Sequence, residues 1–179
     1  RISGRTHANM ASVSPACAQT LTKRFKQAGA SYVASPVLGR PHVAAAGQLN
    51  ILAAGSPKDI AAVQPYFDAM GTKTWQIGEE QHVANLVKIA VNFNIIHAIQ
   101  ALAESIALTE AAGVDAGRFV DILSNTLFGG VVYTGYGQLI AEKKYLPQAF
   151  SLELGLKDLN LARTEASHFG ITLPTADLL

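Results

Sequence analysis

The spacing of hydrophobic and polar positions along this 179-residue chain changes near Gly78. Before that point, short apolar runs of strand length alternate with stretches whose apolar residues recur every three or four positions, which is the texture of an α/β fold. THANMAS (6–12), SYVAS (31–35), LNILAAG (49–55) and TKTWQI (72–77) read as strands, and 15–27 and 57–70 read as helices. Pro15 and Pro57 suit the first turn of a helix, where a missing N–H forfeits no intrahelical bond. Gly29 and Gly71 stand where each helix must turn back toward a strand, so both are expected to be left-handed.

From Glu79 to about Ala112 there is neither glycine nor proline, and the pattern predicts one long helix. At ~1.5 Å per residue it would run for roughly 50 Å, longer than a small domain needs, so it is expected to cross between domains or subunits. Its apolar residues fall on nearly every face, which implies burial all round. Gly113 closes it, and Asp115 can N-cap a helix over AGRFVDILSNTL (116–127). FGGVVYTGYG (128–137) reads as a glycine-containing break. Helical pattern resumes at QLIAEKK (138–144) and again over 152–168, and PTADLL (174–179) reads as the start of a further helix. The fold class is therefore α/β over 1–78, followed by a long helix and an all-α region over 79–179.

Composition narrows the functions open to such a chain. With 49% hydrophobic and 15% charged residues it can bury one substantial core or two small ones. Fourteen basic and thirteen acidic residues leave a net charge of +1, so there is no field to attract nucleic acid or an anionic membrane, and neither is expected as a partner. The uncharged stretch 89–103 is interrupted by Asn92, Asn94, His97 and Gln100 and is shorter than the roughly 20 residues a bilayer requires, so no span is expected. RISGRTHANM has no secretory pattern and reads as starting inside a domain. The lone Cys17 leaves no internal disulfide or cysteine-based zinc site and fits a cytoplasmic protein. The five histidines lack metal-ligand spacing, so no metal is expected, and there is no nucleophile elbow.

Chemistry concentrates in NLVKIAVN (85–92), where Asn85, Lys88 and Asn92 at i, i+3 and i+7 form one polar stripe on an otherwise apolar helix. Burial of Lys88 would lower its pKa and suit it to give or take a proton at an alcohol or carbonyl oxygen. The two amides could hold a substrate hydroxyl or carboxylate beside it. The same spacing also fits a lysine that extends to solvent and asparagines that bond to neighbouring backbone.

The KxxxN pattern of Lys88 and Asn92, opening a long helix after an α/β region, resembles the catalytic signature of the β-hydroxyacid dehydrogenases. That family includes 3-hydroxyisobutyrate dehydrogenase, 6-phosphogluconate dehydrogenase and the glyoxylate and succinic semialdehyde reductases. MASVSP (10–15) resembles its STxxP segment, ASPVLGR (34–40) its APVSGG segment, AGQLNILAAG (46–55) its following strand, and GLKDLNLA (155–162) its KDLxLA segment, all in the family's order. The resemblance implies an incomplete Rossmann-type domain over 1–78, then a long interdomain helix and an all-α substrate and dimerisation domain over 79–179. It implies NADP, or NAD, as cofactor, a homodimer, and hydride transfer between nicotinamide and a small 3-hydroxy acid or a semialdehyde or keto acid. By the same resemblance Lys88 is the general acid and base, and Asn92 holds the substrate hydroxyl. Ser12 lies near nicotinamide and substrate, the Gly39 N–H binds the substrate carboxylate, and Lys157 reaches cofactor and substrate. The alternatives are a helix N-terminal bond for Ser12 and a solvated helix face for Lys157.

The departures from the family pattern bear on specificity. Leu38 and Arg40 replace the serine and second glycine of the substrate loop, and Arg40 either supplies a forked carboxylate contact or points into solvent. His82 and Ala84 stand where the family commonly has glycines. No GxGxxG turn is present, and FGGVVYTGYG, which follows a helix, is no phosphate loop. That segment reads either as a rim of the substrate cleft with Tyr133 and Tyr136 facing it, or as a helix connection packed by aromatics. The competing function is a catalytically incomplete fragment that acts only as a dimerisation and substrate-binding domain. An imine reductase is a third reading, set back by the retained lysine.

Overall fold

A computed structural model describes residues 2–148 and 150–179. The elements in chain order are β1 (Thr6–Asn9), α1 (Pro15–Gln27), β2 (Ser31–Ala34), β3 (Val37–Leu38), α2 (Pro41–Ala45), β4 (Leu49–Ala54), α3 (Pro57–Met70) and β5 (Gly71–Gly78). There follow α4 (His82–Ala111), α5 (Ala116–Asn125), α6 (Val131–Ala141), α7 (Leu152–His168) and a 3-10 turn at Pro174–Asp177. Two compact units divide inside α4, Arg1–Ala90 and Val91–Leu179.

The first unit is built on a mixed sheet. β1 pairs parallel with β2, and β4 parallel with β5. β3 runs antiparallel to β4, and β2 meets β4 at Ala34 and Ala54. Side chains alternate across a strand, so β2 and β4 feed two cores at once. Val33, Leu49, Ile51 and Ala53 pack with Ile60, Val63 and Phe67 of α3. Tyr32, Ala34, Leu52 and Ala54 pack with Ala18, Leu21 and Phe25 of α1 and with Val83, Ala84 and Val87 at the start of α4. Helices on both faces explain why these strands read as continuous apolar runs. Burying a side chain such as Phe67 contributes about 1.5–3 kcal/mol. β3 and α2 escaped the sequence reading because the two-residue strand, bracketed by Pro36 and Pro41, is too short to show a period.

Local signals hold at Pro15 and Pro57, which occupy first helical turns, and at Gly29, which has φ +70°. Gly71 differs from its expectation. Its φ of −144° is extended backbone, and it opens β5 directly from the end of α3. Glycine is needed there because a Cβ would lie 2.5 Å from the Leu49 carbonyl oxygen.

In the second unit, Gly113 at φ +85° ends α4, and Asp115 caps α5 by accepting from the Arg118 N–H at 2.9 Å. Leu102, Ile106, Ala116 and Val120 form the core, with Phe119, Tyr133, Tyr136 and Ile140 packed against it. The expected break over 128–137 is mostly helix, since α6 begins at Val131 and carries Gly135 and Gly137 inside it. A Cβ on Gly137 would stand 2.9 Å from Val120 Cγ1, so this glycine permits a close crossing of α5 and α6. Tyr133 and Tyr136 lie within α6 and pack against this core, so the segment is neither of the loops expected for it. α4 also departs from expectation: most of its residues are at least partly exposed within the chain. By length and composition alone α4 is long and apolar enough to cross a membrane, unlike the shorter uncharged stretch 89–103 within it.

Candidate active site

β1 ends at Asn9, which shapes the loop that follows. Its Oδ1 accepts from the Ala11 N–H at 3.1 Å, and its Nδ2 donates to the Tyr32 hydroxyl at 2.9 Å. The loop runs through Ser12 to Ser14, whose Oγ accepts from the Cys17 N–H at 3.1 Å and caps α1. The capping role offered as the alternative for Ser12 therefore belongs to Ser14. Ser12 itself is half-buried in the loop beyond the carboxyl end of a parallel strand, the place where α/β sheets bind ligands.

α4 comes to this loop through Asn85, which is 1% exposed and donates from Nδ2 to the Ala11 carbonyl at 3.4 Å. The Asn85 Oδ1 is buried and makes no hydrogen bond. Lys88 follows three residues later on the same helix and is half-buried. Within the first unit, then, the loop bearing Ser12 is tied to α4 one turn before the lysine. Gly39 has φ +147°, a backbone conformation that favours glycine whatever its N–H binds, and a Cβ there would lie 2.7 Å from Leu49 Cδ2. Arg40, half-buried, stands at the N-cap position of α2 without a side-chain capping bond. Burial raises the Tyr32 pKa above its ordinary 10.0 against the lowering hydrogen bond from Asn9, and Cys17 acts in the same direction as burial.

The second unit holds a buried polar group that sequence reasoning missed. Asn92, 6% exposed, donates from Nδ2 to Asp158 Oδ2 at 2.6 Å, and Asp158 is 3% exposed. Lys157 Nζ lies 2.9 Å from the other carboxylate oxygen, off the line a hydrogen bond requires. Lys157 is exposed and forms an ion pair with this buried carboxylate. The available signal was the KD pair in GLKDLNLA, a carboxylate placed directly before the buried Leu159. Lys157 also borders an open concavity along α7 with Glu153, Leu156 and Asn160.

Within the first unit, a half-buried amine one helical turn from a buried amide can give or take a proton. The turn from β1 to α1 contains no glycine, and the turn from β4 to α3 contains Gly55 alone, so neither is a three-glycine pyrophosphate cradle. Among the described residues no group of three or more His, Cys, Asp or Glu could hold a metal.

Residues 2–78 match the family described as the NAD binding domain of 6-phosphogluconate dehydrogenase. Residues 83–179 match the family described as NAD-binding of NADP-dependent 3-hydroxyisobutyrate dehydrogenase. An uncharacterized oxidoreductase, YfjR of Bacillus subtilis, is 37% identical over 96% of this chain and 60% of its own length. Glyoxylate/succinic semialdehyde reductase 2 of Arabidopsis thaliana is 29% identical over 97% of the chain and 48% of its own length. A crystal structure of 3-hydroxyisobutyrate dehydrogenase from Salmonella typhimurium superposes with a TM-score of 0.89 at 23% identity, over 97% of this chain and 60% of that one. The chain therefore spans 60% or less of the length of these relatives.

Proposed function

The chain belongs to the 3-hydroxyisobutyrate dehydrogenase family, and on that premise we propose that the whole protein is an NADP- or NAD-dependent oxidoreductase acting on a small 3-hydroxy acid or the matching semialdehyde or keto acid. The observation that carries the proposal is the bond from Asn85 to the Ala11 carbonyl, which ties the Ser12 loop to the helix that bears Lys88. In this reading the nicotinamide, when bound, supplies or accepts the hydride. Lys88 as an ammonium donates a proton to the substrate oxygen during reduction, and as a neutral amine it accepts that proton during oxidation. Asn92, one helical turn beyond Lys88, holds the substrate hydroxyl. The Gly39 N–H and the Arg40 guanidinium take the substrate carboxylate, the latter through its fork. Ser12 and Lys157 border the cofactor. NADP is favoured by the description of the family matched over 83–179. A cytoplasmic homodimer without nucleic-acid or membrane partners belongs to the same reading.

The test is Lys88→Ala in the protein at the full length of its relatives. Turnover should fall by about 10²–10⁴-fold, the usual worth of a general acid or base, with cofactor affinity unchanged. Retained turnover overturns the proposal. A second reading, favoured by the absence of a three-glycine cradle from the β1–α1 and β4–α3 turns, is that the 179-residue chain alone serves only as a substrate-binding and dimerisation domain. Titration with NADPH, followed by fluorescence of the half-exposed Trp75, separates the two. Micromolar binding by the chain alone sinks the second reading.

A further inference from the structure

We infer that Asp158 is a positioning residue for the reaction proposed above, fixing which end of the Asn92 amide is offered to substrate while it anchors the Lys157 ammonium. The inference rests on that proposed function. The amide oxygen and nitrogen of an asparagine are nearly alike in shape, and only hydrogen-bond chemistry decides their placement. An ionised carboxylate accepts and never donates, so the atom 2.6 Å from Asp158 Oδ2 must be the Asn92 nitrogen. With Nδ2 committed, the acceptor Oδ1 is turned away from Asp158, and an acceptor selects a hydroxyl.

This decides between the two roles that spacing left open for the amide. Asn92 takes the O–H of a hydroxy acid and does not serve as the main contact of a carboxylate, which needs donors. A packing role for Asp158 does not account for its chemistry. Burying a carboxylate at 3% exposure costs free energy unless charge and hydrogen bonds compensate it, and a leucine would fill the space without that cost. The compensation comes from Asn92 on one oxygen and Lys157, 2.9 Å away, on the other. One carboxylate thereby links the residue proposed to hold substrate to the residue proposed to border the cofactor.

The experiment uses the full-length protein with 3-hydroxyisobutyrate and NADP, and with glyoxylate and NADPH. The variants are Asp158→Asn, Asp158→Ala, Asn92→Ala, the double variant of the last two, and Lys88→Ala. Asp158→Asn keeps the shape but can present an N–H to Asn92, so the amide is free to turn over. Its kcat/KM should fall by about 10²-fold, the scale of a small misplacement of a substrate-holding group, with an unchanged melting temperature. Loss of the Lys157 anchor should raise the KM for cofactor several-fold in both Asp158 variants. Asp158→Ala and Asn92→Ala should be non-additive, the double variant being no slower than the worse single one. Wild-type kcat/KM in folded Asp158→Asn, or effects that multiply in the double variant, overturn the inference. If Asp158→Ala fails to fold, Asp158→Asn decides alone. An inactive Lys88→Ala beside a fully active Asp158→Asn removes only this inference, whereas an active Lys88→Ala removes the underlying reading and this inference with it.

Discussion

Replacing Asn85 by leucine should make the first compact unit more stable and the proposed reaction slower. Asn85 is 1% exposed, so its amide has left water almost completely. Among the described residues its hydrogen bond is the 3.4 Å contact from Nδ2 to the Ala11 carbonyl, and Oδ1 has no partner. An unsatisfied buried acceptor costs about 1–3 kcal/mol, while an ordinary hydrogen bond contributes about 0.5–1.5 kcal/mol and a lengthened one less. A leucine of similar volume removes both, for a net gain of about 1 kcal/mol. For a chain of this size that raises the melting temperature by roughly 2–4 °C, read by circular dichroism on the 179-residue chain. In the full-length protein the same substitution releases the Ser12 loop from α4, and kcat/KM should fall by about 10²-fold. A lower melting temperature would show that the amide is fully satisfied and that the energy reasoning is wrong. An unchanged kcat/KM would show that the tie to the loop has no part in the chemistry.

Two further outcomes follow from the packing. Gly71→Ala should destabilise the chain by about 1–3 kcal/mol through overpacking against the Leu49 carbonyl, and an unchanged urea midpoint would refute the close approach. The raised pKa of Tyr32 means that the folded state holds this proton more tightly than the unfolded state does. Its contribution is fully present below pH 10.0 and is lost as pH rises through the higher folded value, so Tyr32→Phe should flatten the alkaline fall in stability, measured by urea titration at several pH values.

What this sequence determined by itself was local. Pro15, Pro57, Gly29, Gly113 and Asp115 act within a turn of their own positions, where one residue's conformation or one capping bond suffices, and each does in the structure what its type requires. The polar stripe of Asn85, Lys88 and Asn92 was legible for the same reason, because helical periodicity is a property of neighbours. Tertiary structure decided everything that depends on what comes from elsewhere in the chain. Gly71 and Gly137 are glycines because of Leu49 and Val120, which sit in other elements. Ser14, and not Ser12, caps α1 because the turn set by Asn9 places it there. Asp158 meets Asn92 across 66 positions of sequence, and no local pattern records which amide a buried carboxylate will find. Such partners are chosen by the packing of whole helices, where burial leaves a polar group only the neighbours the fold brings to it.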